Sequence, residues 1–298
     1  TSFDLLRFAT KWMPFDPKEY VYPLMPVISA LQKQVGINRV VGNFGGELSM
    51  FYNIPSLEGY DAVYQERYGE FMMAVSQGTI SAPERSIVRF DKHGKYAEEA
   101  ISLLGARFIL HRLSDGRQGW TYPVWQYSNY HSIYRDNNYE IFENTNAFPR
   151  AFLATSYVIA TDKQKIIDQL FGQTFDRRKS IVLEKEPLLK PQEGTGSVLI
   201  TKYSPTDILF TTEAVSPKLL FLSDVYDAGW KASVDGKSTP LLRADYNFRA
   251  VAVPSGKHDV RMAYKPESVI WGFRIASIIL IILIAGSMWE VFYAHRHL

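Results

Sequence analysis

Residues 223–237 read SDVYDAGWKASVDGK, with three aspartates inside fifteen residues. Such a set could hold a metal ion or perform acid–base chemistry. Asp235 and Gly236, however, lie between alternating apolar residues, and a two-residue Asp-Gly loop is typical of a type I′ hairpin turn. Asp227 and Gly229 also suit a turn. We therefore expect hairpin turns whose aspartates lie in separate loops at sheet ends, with a metal or acid–base site as the alternative.

The sequence around this hairpin predicts an antiparallel β-sandwich or jelly roll. Short runs of β-forming residues recur at near-regular spacing, with turn residues between them. There are seven: SVLITKY (197–203), DILFTTEA (207–214), KLLFLSD (218–224), WKASVD (230–235), STPLLRA (238–244), FRAVAVP (248–254) and HDVRMAY (258–264).

The chain before residue 190 mixes helix and strand patterns. Residues 38–44 predict a strand, and residues 59–78 predict a helix that ends at Gly78. Residues 96–113 predict a helix followed by a strand after Gly105. Residues from Pro149 onward predict a strand, then a helix capped by Thr161 or Asp162. This alternation favours a mixed α/β arrangement.

A segment rich in proline, glycine and charge at 184–197 indicates a linker or domain edge. We therefore expect an α+β protein with four regions. They are a mixed α/β region (1–190), a β-sandwich domain (191–267), a transmembrane helix (268–294) and a tail (295–298).

The segment from Val269 to Tyr293 contains about 25 residues, of which only two are charged. About 20 apolar residues suffice for a helix to cross a bilayer. Trp271 and Trp289 lie roughly 27 Å apart along a helix and suit the two interfaces, while Arg274 can extend to the near interface. Gly272 and Ala276 would let another helix approach closely. A buried core helix is the alternative.

The composition of the chain limits the kinds of functional site that it can contain. The chain contains no cysteine, which excludes disulfides and cysteine-ligated metals, and its net charge of +2 gives no indication of nucleic acid binding. We expect no catalytic residue, no metal and no cofactor. Glu66 and Glu70 lie one helical turn apart, and we expect them on a solvated face rather than as an acid–base pair.

An aromatic segment is the most suggestive candidate for binding. Aromatic rings next to polar groups can stack on sugars or anchor a protein partner. The alternative is that the rings fill the core between sheet and helices. The six residues are Trp120, Tyr122, Trp125, Tyr127, Tyr130 and Tyr134.

The amino-acid sequence of the β-rich part resembles that of a known family. LLFLSDVYDAGWKASVDGKSTPLLRADYNFRAVAVPSGKHDVRMAYKP (219–266) closely resembles the C-terminal extracytoplasmic module of YfhO-type bacterial membrane proteins. LLGARFIL (103–110) and YEIFENTNAFPRAFLATSYVI (139–159) resemble the same group strongly. GINRVVGNFGG (36–46) and IPSLEGYDAVYQERYGEF (54–71) do so more loosely, whereas residues 114–138 match less well.

That family is related to the GT-C glycosyltransferases, which use polyprenyl-phosphate sugars. Their catalytic acids lie on a multi-helix bundle that has no counterpart in this chain, so no catalytic position carries over. The resemblance implies the outward-facing module and last helix of such a protein, in the bacterial inner membrane with the body on the periplasmic side. It thus implies that the mixed region 1–190 is extracytoplasmic and that the tail 295–298 is cytoplasmic.

We therefore expect a non-catalytic structural or binding subunit of a larger membrane complex, processed from a YfhO-type precursor. Its expected partners are other membrane subunits, the lipid bilayer and a possible glycan. The alternative is the soluble domain of a polyprenyl-phosphate-sugar-dependent glycosyltransferase whose catalytic bundle is missing from this chain.

Overall fold

The computed structural model describes residues 2–12, 17, 22–42, 48–60, 64–83, 87–88, 90, 94–113 and 128–296. Helices occur before, between and after the sheets. The described residues form α1 (Ser2–Trp12), α2 (Pro26–Val35), α3 (Leu48–Phe51), α4 (Glu66–Gln77), α5 (Ala97–Leu103), α6 (Lys163–Leu170) and α7 (Glu267–Arg296).

Seventeen strands in the described part of the chain form three larger sheets and one two-stranded ribbon, β2 with β3. In chain order they are β1 (Arg39–Gly42), β2 (Gly59–Tyr60), β3 (Ile87–Val88), β4 (Ala106–Arg112), β5 (Tyr130–Arg135), β6 (Tyr139–Asn144), β7 (Ala151–Ala154), β8 (Ser156–Ile159), β9 (Ser180–Leu183), β10 (Gly196–Tyr203), β11 (Asp207–Ala214), β12 (Lys218–Val225), β13 (Trp230–Val234), β14 (Lys237–Thr239), β15 (Leu242–Ala244), β16 (Phe248–Val253) and β17 (Gly256–Tyr264).

The N-terminal sheet has the strand order β1-β4-β6-β5, in which only β1 and β4 are parallel. Gly105 separates α5 from β4, and its φ of 71° is a left-handed conformation that glycine adopts at no steric cost. The predicted helix and strand on either side of Gly105 are thereby confirmed. The apolar side of α2 covers one face of this sheet through Val27, Ile28 and Leu31.

The central sheet has the order β7-β12-β16-β15-β9-β8. Its β8 and β9 are parallel, and α6 forms the crossover between them. Asp162 caps that helix, since its carboxylate accepts the Lys165 backbone N–H at 2.9 Å. β7, β8 and β9 come before residue 190, so the predicted boundary there lies between strands of one sheet. The division into domains stays a prediction.

The outer sheet has the order β10-β11-β17-β13-β14 and is antiparallel throughout. Its β13–β14 hairpin pairs Val234 with Lys237 across the two-residue loop. Asp235 and Gly236 have φ values of 50° and 75°, the positive pair that a type I′ turn requires. The seven predicted β-rich runs all form strands, and STPLLRA is divided between β14 and β15.

Strands β12 and β16 of the central sheet are buried on both faces. On one face Leu220 and Val251 pack against Phe210, Val260 and Met262 of the outer sheet, which forms a sandwich. On the other face an apolar cluster includes Phe221 and Phe248 of this sheet, Phe71 of α4, Ile101 of α5 and Ile167 of α6. Burial on both faces explains why β12 is apolar at successive positions rather than at every second one. The predicted α+β class is thereby confirmed.

Glu70 does not lie on a solvated face, so that expectation is wrong. Its carboxylate is buried. It accepts a hydrogen bond from the Tyr246 hydroxyl at 2.5 Å and two hydrogen bonds from the Lys163 ammonium at 2.6 and 2.8 Å. Burial alone would raise the pKa of Glu70, but the hydrogen bonds from Lys163 and Tyr246 hold it below its ordinary value. Helical periodicity could not reveal Tyr246, which is distant in sequence.

Asp245 is the most fully buried carboxyl group of the described residues. It lies between β15 and β16, where its φ of 44° is left-handed. One side-chain oxygen accepts the Val182 backbone N–H at 2.7 Å, while Oδ2 has no hydrogen-bond partner. Burial raises the pKa of Asp245 to about 7. The folded protein therefore holds a proton here that the unfolded chain releases near pH 4.

Replacing Asp245 with asparagine should make the stability of the fold less dependent on pH. With aspartate, this group's contribution is complete below about pH 4 and is lost as the pH rises through about 7. Asparagine keeps an acceptor for Val182, tolerates the left-handed backbone and does not ionise. At pH 8 we expect Asp245→Asn to exceed the wild type in unfolding free energy by up to roughly 3 kcal/mol.

The measurement is chemical unfolding of the full chain in detergent between pH 4 and 8. The exposed Asp259→Asn is the matched control and should follow the wild-type pH profile. Parallel pH profiles for Asp245→Asn and the wild type would contradict the assignment of the proton to Asp245.

Candidate functional site

A buried cluster of charged residues lies where the three sheets meet, with Asp224 at its centre. Asp224 is on β12 of the central sheet, beside Arg249 on β16. Arg39 begins β1 of the N-terminal sheet, Arg150 directly precedes β7, and Tyr203 ends β10 of the outer sheet. We call these five residues the Asp224 cluster.

Irregularities in strand pairing lie at two of these residues, Asp224 and Arg39. The pairing of β12 with β16 shifts register between Leu222 and Val225, the stretch that contains Asp224. The pairing of β1 with β4 shifts directly after Arg39. Register shifts of this kind redirect side chains that regular alternation would place elsewhere.

Asp224 is the common acceptor of the cluster. Its Oδ1 accepts hydrogen bonds from Arg39 Nη2 at 2.6 Å and from Arg150 Nε and Nη2 at 3.1 and 3.0 Å. Its Oδ2 accepts the Tyr203 hydroxyl at 2.8 Å. Arg249 Nη2 lies 4.0 Å from Oδ2, which is an ion pair but beyond hydrogen-bond distance.

Burial makes these charges energetically significant. The side chains of Arg39, Arg150 and Arg249 are 9%, 9% and 5% exposed, and that of Asp224 is 8% exposed. Burial alone would raise the pKa of Asp224, but Arg150 and Arg39 hold it below its usual value. Burial lowers the pKa of Arg249 to about 10 and raises that of Tyr203 to about 12, the latter helped by Asp224. At neutral pH Asp224 and Arg249 are therefore ionised, whereas Tyr203 is neutral.

The arginines differ in how fully their donors are used. Arg39 Nη1 donates to Leu104 O and to Ser223 Oγ, both at 2.8 Å, and Arg150 Nη1 donates to Ile37 O at 2.8 Å. Arg249 makes one such bond, from Nε to Val225 O at 2.9 Å, and its buried Nη1 has no hydrogen-bond partner.

A cleft of about 220 Å³ opens onto the cluster. The four charged residues of the cluster and Tyr203 line it, together with the turn residues Ser204 and Pro205 and the Trp230 ring. The centroid of the Trp230 ring lies 3.7 Å from the Arg249 guanidinium carbon, a cation–π arrangement that holds the guanidinium in place. The site thus combines an accessible cleft with surplus positive charge.

The three aspartates of residues 223–237 do not converge. Asp224 belongs to the buried cluster and is not in a loop, so the expectation of a loop position is wrong for this residue; β12 extends to Val225. Asp227 accepts the Gly229 backbone N–H at 2.8 Å within its turn, and Asp235 lies in the hairpin loop. The described residues contain no group of three or more metal-ligating side chains.

Most of the aromatic segment falls outside the described residues, namely Trp120, Tyr122, Trp125 and Tyr127. Tyr130 is buried in the apolar cluster around α4–α6. Tyr134 is half-buried against the α2 side of the N-terminal sheet, and its hydroxyl donates to Asp136 at 2.8 Å. A binding role for this segment stays a prediction.

One helix of the described chain is long and apolar enough to cross a membrane. Its candidate span is Glu267–Trp289, 23 residues, and none of it is buried within the protein. Trp271 and Trp289 are exposed, and Arg274 lies 5.0 Å from the Trp271 ring. A side chain at Gly272 would meet no atom within 4 Å, and Ala276 is exposed one turn on. The described part of the chain therefore does not bury this helix as a core helix.

Residues 192–279 match the family described as bacterial membrane protein YfhO. This segment is YfhO-like. The resemblance is thereby confirmed over the outer sheet, β12, β15 and β16 of the central sheet, and the start of α7. Together, the match and the candidate span indicate a membrane protein. Comparisons with curated proteins and with solved structures gave no match.

The YfhO-like segment contains Tyr203, Asp224, Trp230 and Arg249, whereas Arg39 and Arg150 lie outside it. Sequence reasoning missed the three arginines. A usable signal was present, because Arg249 interrupts the otherwise apolar run FRAVAV, and a charge inside a buried strand requires a partner. Nothing in the sequence indicated which carboxylate would supply it.

Replacing Asp224 with asparagine should destabilise the full chain by about 3–5 kcal/mol, because it leaves three buried guanidinium groups without a carboxylate. Asp207→Asn is the matched control: Asp207 also pairs with two cations, Lys202 and Arg261, but those lie at the surface. There we expect a much smaller loss, because solvent screens ion pairs at the surface. Urea unfolding in detergent at pH 7 measures both, and equal losses would show that the cluster does not join the sheets.

Proposed function

We propose that this chain is the membrane-anchored extracytoplasmic module of a YfhO-type bacterial membrane protein. In this proposal it has a structural or binding role within a larger membrane protein complex and is not itself catalytic. The observation that carries the proposal is the direct connection of the folded body to the exposed apolar helix. Only Lys265 and Pro266 separate β17 from α7.

Backbone hydrogen bonds fix that connection to the body. Tyr264 N donates to Thr206 O at 2.8 Å, and Lys265 N donates to Gly229 O at 2.7 Å. The Tyr264 ring also packs against Trp230, with the ring centroids 5.4 Å apart. A helix held this way would keep one end of the outer sheet near the bilayer surface.

The exposed surface of α7 supports association with other membrane subunits. Gly272 and Ala276 leave one side of the helix with little side-chain bulk, which permits close approach of a second helix.

The family resemblance supports the bacterial inner membrane as location, with the body on the periplasmic side. The rest of the aromatic segment, apart from the buried Tyr130, remains the proposed contact with a partner or a glycan.

The proposed topology predicts which side of the membrane each end of α7 occupies. Because the chain lacks cysteine, single cysteines can report this position. Ser238→Cys, exposed on the body, should react with a membrane-impermeant maleimide in intact spheroplasts. The labelled chain should stay in the membrane pellet after alkaline carbonate treatment.

The matched control is Leu298→Cys on the tail beyond α7, which should react only after lysis. Labelling of the tail in intact spheroplasts, with protection of Ser238→Cys, would reverse the proposed topology. Release of the chain by carbonate would contradict the anchor.

The subunit role predicts stable partners. Native mass spectrometry of the chain, extracted in mild detergent from its own membranes, should show it bound to other membrane subunits. A much heavier single polypeptide containing this sequence would instead support the alternative function, a domain of a polyprenyl-phosphate-sugar-dependent glycosyltransferase.

A further inference from the structure

The Asp224 cluster contains more positive than negative charge. Three arginines surround one aspartate, so the cluster has a surplus of two positive charges. Among the described residues, Asp224 is the only carboxylate within 4.0 Å of these guanidinium groups. Buried charge without a partner is strongly unfavourable, and native proteins compensate it with a counter-charge.

Arg249 is the residue with spare donors. Its Nη1 has no partner, and its Nη2 lies too far from Asp224 for a hydrogen bond. Trp230 covers the guanidinium and Val225 O fixes its Nε, so the orientation is set before any ligand arrives. Two terminal nitrogens in a fixed fork match the spacing of two oxygens on a phosphate group.

The volume of the cleft limits the size of the ligand that it can bind. Its volume of about 220 Å³ is several times the ~30 Å³ of one water molecule. It is also below the roughly 300 Å³ at which sites for drug-sized ligands begin. A compact anion fits, whereas a whole sugar nucleotide does not.

The cleft also lies at the end of the body from which α7 departs. Trp230, which lines it, pairs across the sheet with Tyr264, the last residue of β17. Pro205, which also lines the cleft, precedes Thr206, which accepts the Tyr264 backbone N–H. A group bound here is therefore close to the start of the membrane span at Glu267.

We propose that the cleft over the Asp224 cluster binds a phosphate group, with Arg249 as the main donor and Arg39 and Arg150 supplying the surplus positive charge. The phosphate comes either from a lipid headgroup at the bilayer surface or from a free phosphate ion. The lipid source rests on the proposed membrane anchoring, whereas the phosphate site itself does not.

The test uses the full chain in nanodiscs made of a phosphate-free galactolipid. Added inorganic phosphate should raise the thermal unfolding midpoint saturably, compared with chloride at the same ionic strength, because a ligand that binds the folded state stabilises it. Arg249→Lys should weaken the apparent affinity about tenfold or more, since the fork becomes a single ammonium. Arg107→Lys, a surface arginine of the N-terminal sheet paired with Glu143, should bind as the wild type does.

A second pair of variants leaves the buried residues intact, in case Arg249→Lys does not fold. Pro205 is exposed on the rim of the cleft. Pro205→Glu places a negative charge there and should weaken phosphate binding several-fold. Pro205→Gln, similar in size and uncharged, should not. Equal binding by Pro205→Glu and Pro205→Gln would overturn the proposed site, as would the absence of a saturable phosphate effect in the wild type.

Repeating the titration in phosphatidylglycerol nanodiscs distinguishes the two sources. If lipid headgroups occupy the cleft, the wild type should start with a raised midpoint and show no further response to phosphate. If the ligand is free phosphate, the response should be the same in both bilayers. A chain that is released from membranes yet still binds phosphate would contradict the anchoring proposal alone.

Discussion

The buried carboxylate of Asp224 is the contact on which the arrangement of the three sheets depends. It holds Arg39 of the N-terminal sheet, Arg150 before the central sheet and Tyr203 of the outer sheet within hydrogen-bond distance. Apolar packing between sheets is strong but tolerates small sliding, whereas charge-assisted hydrogen bonds have defined directions. Removing them would cost more than the bonds alone, because the arginines would remain buried. The cluster therefore fixes the register between layers that packing holds together.

The same cluster connects architecture with the proposed binding site. A network that served only to join sheets could be neutral, yet this one has two surplus positive charges beneath a cleft. Trp230 belongs to both arrangements, since it stacks on Arg249 and pairs with Tyr264 beside the membrane helix. The position of the cleft relative to α7 is thus set by the outer sheet, whose last strand leads into the helix within two residues.

Strand patterns and turn residues were sufficient for much of the fold. Asp235-Gly236 specified its hairpin because few other residue pairs accept positive φ twice in succession. The helix before Gly105, the strand after it and the long apolar run of α7 follow from equally local rules. Those rules left Thr161 and Asp162 as alternatives for the cap of α6, and the structure assigns it to Asp162. Glu70 was misjudged because helical periodicity places a residue on a face but does not say what covers that face; Lys163 and Tyr246 cover it.

The sequence by itself determined most element types, the outer-sheet hairpin and the candidate membrane helix, because propensity, turn geometry and hydrophobic length act over a few residues. The YfhO resemblance rested instead on whole stretches of matching sequence. Only the tertiary structure decided which strands share the central sheet and which charges meet at Asp224. Arg39 and Asp224 are 185 residues apart. No local pattern encodes that contact, since it arises when separately specified layers pack and leave one buried carboxylate within reach of three guanidinium groups.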